Sequence, residues 1–162
     1  MLFLFALAFA VAAVAVPTAF AGNAHFIKSG SGATLQGANL KCFFKEAGLE
    51  SGSIENVTCS ATEDITYECV NNGGKNPSAS NKRAFRTSGE GSGNFPADRN
   101  GNIQGDVTIT AASAASLGFS CPSGQTVTLV SVTYSNVTIT DNTSGATISI
   151  PGTFSFTNPD AP

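Results

Sequence analysis

Acid–base chemistry in this chain would have to run through one imidazole, because His25 is the sole histidine among its 162 residues. It stands between Ala24 and Phe26, and no GxSxG-type elbow presents a nucleophile for it to activate. Carboxylate pairs are the other route, since glycosidases need little more than two of them. Glu46, Glu50 and Glu55 form one group and Glu63, Asp64 and Glu68 another, both in or beside polar stretches where solvated charge is expected. The chain has no Trp and only two tyrosines, Tyr67 and Tyr134, so a stacking platform for sugar rings is poorly supplied. Asp98, Asn100, Asn102 and Asp106 collect oxygen ligands, but without EF-hand spacing or its closing Glu, and a turn explains them. The expectation is a non-enzyme with no catalytic residues, no cofactor and no metal.

Sulfur is better supplied than acid–base chemistry. Cys42, Cys59, Cys69 and Cys121 include no CxxC pair and lie far in sequence from His25, which argues against zinc. In an exported chain an even count reads as disulfides, with the connectivity left open by the count alone. Lys75, Lys82, Arg83, Arg86 and Arg99 place five of the eight basic residues in one stretch. They form a candidate binding face for an acidic polysaccharide or a receptor, or simply a solvated polar loop. The net charge of −3 argues against a nucleic-acid partner and gives no pull toward anionic membranes. Three sequons, beginning at Asn56, Asn136 and Asn142, are glycosylation candidates in a eukaryotic source, with Asn142 in its turn the expected acceptor.

The elements that must position these groups begin after an export segment. Leu2 to Val16 is an unbroken apolar run, ended by Pro17 and followed by Ala19-Phe20-Ala21, although no Lys or Arg precedes it. The run is shorter than the ~20 residues that a membrane span needs. Residues 1–21 therefore read as a signal peptide and 22–162 as a single secreted β domain. Ala38 to Lys45 and Ile54 to Ala61 read as strands around the turn-rich Gly48 to Gly52. In an antiparallel hairpin Cys42 and Cys59 would face each other, which leaves Cys69 and Cys121 as a long-range staple of about 4 kcal/mol. Ile65 to Val70 extends the second strand, and a polar loop runs from Asn71 to Lys82. Ala84 to Pro96 reads as an irregular strand whose Gly89, Gly91 and Gly93 suggest bulges or close packing. Arg99 to Asn102 signals a hairpin with Ile103 to Ala111 as the return strand, and Ala112 to Leu117 allows one helical turn. From Gln125 to Asp141 the inward face switches twice, which requires a strand bent by bulges. Ile148, Ile150, Phe154 and Phe156 share one face of a last strand interrupted by Pro151. The fold class is all-β: a mostly antiparallel β-sandwich or partly open barrel with two disulfides.

Two stretches carry a family likeness. Tyr67-Glu68-Cys69-Val70-Asn71-Asn72-Gly73-Gly74-Lys75, with Pro77 and Asn81-Lys82, is one; Cys121-Pro122-Ser123-Gly124-Gln125 running into Val127 to Tyr134 is the other. With Phe44 to Leu49 they resemble small secreted hypersensitive-response-inducing proteins of filamentous fungi, with related uncharacterised secreted proteins in actinobacteria. The resemblance implies pairing of Cys69 with Cys121, and Cys42 with Cys59 as the fungal addition. It implies a secreted elicitor that provokes plant cell death and defence through its folded surface, in contact with a plant cell-surface receptor. It also leaves room for an extracellular wall-polysaccharide-binding or structural role.

Overall fold

The computed structural model describes residues 22–71 and 81–161. The expected signal peptide, most of the polar loop and its Lys75 lie outside the described residues. The strands are β1 (His25–Phe26), β2 (Gly32–Gln36), β3 (Asn39–Ala47), β4 (Ile54–Asn71), β5 (Lys82–Pro96), β6 (Asn102–Ile109), β7 (Gln125–Asp141), β8 (Thr147–Ile150) and β9 (Phe154–Thr157). In the first sheet β3 is central, flanked by β6 on one side and by β1 and β2 on the other. In the second, β4 and β7 are central, with β5 at one edge and β8 and β9 at the other. Every pairing is antiparallel, and the arrangement is a sandwich and not a closed barrel.

Alternation decides which side chains face the seam. Along β4, Val57, Cys59, Ala61 and Ile65 point inward, while Asn56, Thr58, Ser60, Thr62 and Asp64 take the other face. Leu40, Cys42 and Phe44 from β3 meet them, joined by Ile109 from β6 and by Val132, Tyr134, Val137 and Ile139 from β7. The Tyr134 hydroxyl, carried deep into this core, donates to the carbonyl of Ala38 at 2.7 Å, so the burial of the ring leaves no orphaned polar atom.

The two disulfides join Cys42 to Cys59 and Cys69 to Cys121, as expected. The expected hairpin around the first does not form. β3 and β4 belong to different sheets, so the Gly48 to Gly52 connection is an arch and Cys42–Cys59 ties one sheet to the other. The same correction applies at Arg99 to Asn102. The tight turn is present, with Gly101 N–H donating to the Asp98 carbonyl at 3.1 Å, yet β6 pairs with β3 and not with β5. Both connections are short enough for hairpins; what overrides that reading is that β4 pairs along its length with β5 and β7 instead.

Gly89, Gly91 and Gly93 serve close packing, since β4 and β5 pair in continuous register through them. A Cβ at Gly91 would lie 2.2 Å from the Thr108 carbonyl oxygen, where β5 presses against the backbone of β6. β7 is bent as its sequence requires: its register on β4 shifts between Ser60 and Thr62 and again between Thr66 and Tyr67. The first slip keeps Val137 and Ile139 in the seam with Val132 and Tyr134, and beyond the second Leu129 packs against the core while Val127 is exposed. Residues 114–118 form a single turn, Leu117 N–H donating to Ser113 at 3.2 Å, and a 3-10 turn at Lys28–Gly30 was not foreseen.

Loop length favours the longer-range bridge, because the sequence separations are 52 and 17. In the chain-entropy model these correspond to about 4 and about 3 kcal/mol. Cys42 and Cys59 are both fully buried between the sheets, so their truncation also leaves a void. The double variant Cys42→Ala/Cys59→Ala is therefore expected to lose at least as much stability in urea melts as Cys69→Ala/Cys121→Ala. A midpoint shift clearly smaller for the first pair would show that the seam closes without its bridge.

Candidate functional site

The most unusual chemistry in the fold lies inside it. Glu46, Glu55, Glu63, Glu68 and Asp141 are all buried, against the expectation that the two acidic groups would be solvated. Their strands put them there. Glu46 shares parity with Leu40, Cys42 and Phe44 on β3, and Glu55 and Glu63 share it with Val57, Cys59 and Ile65 on β4. Only Glu50 and Asp64 of the expected groups are exposed.

Three of the five meet at one end of the seam. Glu46 comes from β3 in the first sheet, while Glu55 at the start of β4 and Asp141 at the end of β7 come from the second. The Asp141 carboxyl adjoins both glutamates. Ser144 donates to Glu46 Oε1 at 3.1 Å, Ser53 donates to Glu55, and the Thr143 N–H donates to Asp141 Oδ1 at 2.9 Å. The remaining oxygens, Glu46 Oε2, Glu55 Oε2 and Asp141 Oδ2, are buried without a hydrogen-bond partner. Burial, then the neighbouring Asp141, pushes the Glu46 carboxyl from 4.5 up to about 7. Burial is also the main cause that raises Glu55, opposed by the Ser53 hydroxyl and reinforced by Asp141. Among the described residues no group of His, Cys, Asp and Glu side chains is arranged to hold a metal ion. The cluster can store protons between the sheets, but it is sealed from any substrate.

Glu63 sits deeper. Its Oε2 accepts from the Ala112 N–H at 3.0 Å, and burial raises its carboxyl above the ordinary range. Its other oxygen fills the space that a Cβ at Gly89 would need, which explains one glycine of β5. Burial, and after it the Glu63 charge, raises the hydroxyls of Tyr67 and Tyr134. Glu68 pairs with Lys82 at 3.1 Å.

The expected basic face does not assemble as one patch among the described residues. Lys82 is engaged by Glu68, Arg83 lies over the Phe85 ring at 4.9 Å, and Arg86 approaches Asp64 at 3.6 Å. These three begin β5, whereas Arg99 lies beyond its far end in the turn to β6. An extended strand separates what the sequence places close together. Asp98 closes that turn by accepting from the N–H groups of Asn100 and Asn102 at 2.8 and 2.9 Å, which hold its carboxyl below the ordinary range. Asp106, the last of the oxygen group, instead pairs with Lys41 at 3.1 Å. His25 is exposed in the short strand β1, its Nδ1 2.6 Å from the Asn23 carbonyl oxygen.

One surface feature was missed. Phe43 is 40% exposed on the outer face of the first sheet, and its ring lies where a Cβ at Gly32 would clash. A shallow groove of about 490 Å³ runs past it, with Gln36, Gln104, Lys41 and Asp106 on its walls. The exposed parity of Phe43 beside Gly32 on the paired strand was the available signal. Comparison of the chain with protein-family models, with curated proteins and with solved structures gives no match.

Folding takes up protons wherever a carboxyl stays protonated in the fold but ionises in the unfolded chain. For Glu46 that window runs from 4.5 to about 7, so its contribution is most favourable below the window and is lost as pH rises through it. The loss from this one group is on the order of 3 kcal/mol at most. Glu55 and Glu63 act in the same direction. Urea midpoints are expected to fall between about pH 5 and about pH 8, and Glu46→Gln to flatten that fall. A midpoint that climbs across the interval would overturn the protonated cluster.

Proposed function

We propose that the chain is a secreted elicitor or effector of a filamentous fungus, which provokes plant cell death and defence responses through its folded surface. The observation that carries the reading is the inter-sheet carboxyl cluster. A fold that favours protonated Glu46 and Glu55 suits a mildly acidic extracellular fluid such as the plant apoplast. Two disulfides fit an oxidising compartment, and among the described residues no helix is long and apolar enough to cross a membrane. The resemblance in the segments around Cys69 and Cys121 points the same way. The partner is a plant cell-surface receptor or membrane-associated component that reads shape, so no enzymatic turnover is required.

Infiltration of leaves with native protein beside a reduced and alkylated sample tests this. Cell death or defence induction by the native sample alone is the expected outcome. Activity in both samples would point to a linear segment, and silence in both would remove the elicitor reading.

A second reading, binding to wall polysaccharide, is favoured by the Phe43 groove. An exposed ring over Gly32, in a groove also lined by Gln36 and Gln104, offers the apolar and polar contacts that a neutral sugar chain uses. Phe43→Ala is expected to abolish retention on insoluble glucan or chitin if this reading holds. Equal retention of both forms would dispose of it.

A further inference from the structure

The outer face of the second sheet carries all three Asn-X-Ser/Thr triplets, and the fold uses their amides differently. Asn142 Nδ2 donates to Asn56 Oδ1 at 2.8 Å and to Thr58 Oγ1 at 2.9 Å. Both of its hydrogens are committed. Asn56 Nδ2 in turn donates to Asn94 Oδ1 at 2.8 Å, and the Asn56 N–H donates to Thr143 Oγ1 at 3.0 Å. These amides form a ladder across β5, β4 and the turn after β7; a substituent on Asn142 Nδ2 would cost one of its two bonds, and one on Asn56 Nδ2 would have to fit beside Asn94.

Asn136 stands apart. Its side chain is exposed, and its Nδ2 reaches only Thr62 Oγ1, at 3.4 Å. It sits in the β7 bulge that lies opposite Ser60 and Thr62, with φ of 53°, the one positive φ at a non-glycine position among the described residues. Asn is among the few residue types that tolerate this conformation. The neighbouring edge is also open at this level. β8 ends at Ile150 opposite Val137, β9 starts at Phe154 opposite Tyr134, and Pro151 and Gly152 span the gap. A groove of about 310 Å³ lies beside Asn136, lined by Thr138, Ser149, Ile150 and Pro151 among others. The Thr138 and Ser149 hydroxyls and the ring of Pro151 supply both kinds of contact that a sugar ring makes, Ile150 being turned into the core.

We propose that Asn136 is the N-glycosylation site of this chain and that the first sugar of its glycan seats in the groove between the bulge and Pro151. Asn56 and Asn142 remain unmodified in the folded protein. The co-reactant is a lipid-pyrophosphate-linked oligosaccharide of the secretory pathway. The Asn136 amide nitrogen bonds to its anomeric carbon and the bond from that carbon to the pyrophosphate oxygen breaks. The lipid pyrophosphate leaves, and the amide proton passes to a base. Thr138 completes the acceptor triplet. The inference rests on the reading that the chain is exported.

The test is secretion of the full chain from a glycosylating yeast, followed by intact mass before and after amidase release of N-glycans, and by peptide mapping. One glycan is expected, with Asn136 converted to Asp on release. It should vanish in Thr138→Ala, which keeps Asn136 and its bulge, and persist in Asn56→Gln and Asn142→Gln. Unmodified protein in the medium, or a glycan on Asn56 or Asn142, would overturn the assignment while leaving export intact. Failure of the wild-type chain to reach the medium would overturn the export reading and the assignment together.

Discussion

The Cys42–Cys59 bridge joins the interiors of the two strands that flank the first crossing between sheets, and the sandwich is organised around that tie. β3 and β4 run from the same short arch into different sheets, so nothing in the hydrogen-bond ladders holds them face to face. The bridge does so covalently, at a point where both sulfurs are fully enclosed. With that spacing set, the glycines of β5 can approach β6 at backbone distance and Phe44 can stack edge-on against Phe26 and Phe95. The second arch, between β5 and β6, repeats the crossing directly beside the first: Leu49 N–H donates to the Gly101 carbonyl at 3.0 Å and Ala97 N–H to the Ser53 carbonyl at 2.8 Å, while Asp98 closes the turn itself.

The seam so formed is not purely apolar. Four carboxyl groups enter it, a fifth, Glu68, is buried on the other face of β4, and the fold accommodates the five in two ways. Glu63 and Glu68 are given partners, a backbone N–H and a lysine. Glu46, Glu55 and Asp141 are given chiefly one another, with a few hydroxyl and N–H donors at the rim. Carboxyl groups in mutual contact are tolerable when some of them keep their protons, and that ties sheet-to-sheet adhesion to the proton activity of the surroundings. The disulfide, farther along the same two strands, ties the sheets covalently when the pairing weakens.

Much of the fold was legible because hydrophobic parity survives in the sequence. The double face switch between Gln125 and Asp141 required a bent strand, and the two register shifts of β7 are that bend. Pro151 marked a real interruption. What parity cannot reveal is which neighbour a strand chooses, so both arches read as hairpins although the cysteine partners were correctly matched. The acidic groups failed for another reason. Residue type was allowed to outweigh position, and Glu46, Glu55 and Glu63 were assigned to solvent even though each alternates in phase with the core. Asp141 was placed at the end of its strand but not counted among the acidic groups. The basic stretch misled because proximity along an extended strand is not proximity in space. The Asn136 bulge was half visible, as a face switch without its left-handed residue.

The outer edges of the two sheets share a design. β1 and β2 together line one margin of the first sheet, β8 and β9 one margin of the second, and none of the four exceeds five residues. An unbroken margin would offer a template on which another chain could extend the sheet. Segmented margins, one of them split by a proline that has no N–H to donate, deny that template. On the remaining margin of the second sheet, β5 is long but carries Lys82, Arg83, Arg86 and Glu90, charges that discourage lateral addition. A protein built this way can be crowded to high concentration with little tendency to nucleate fibrils.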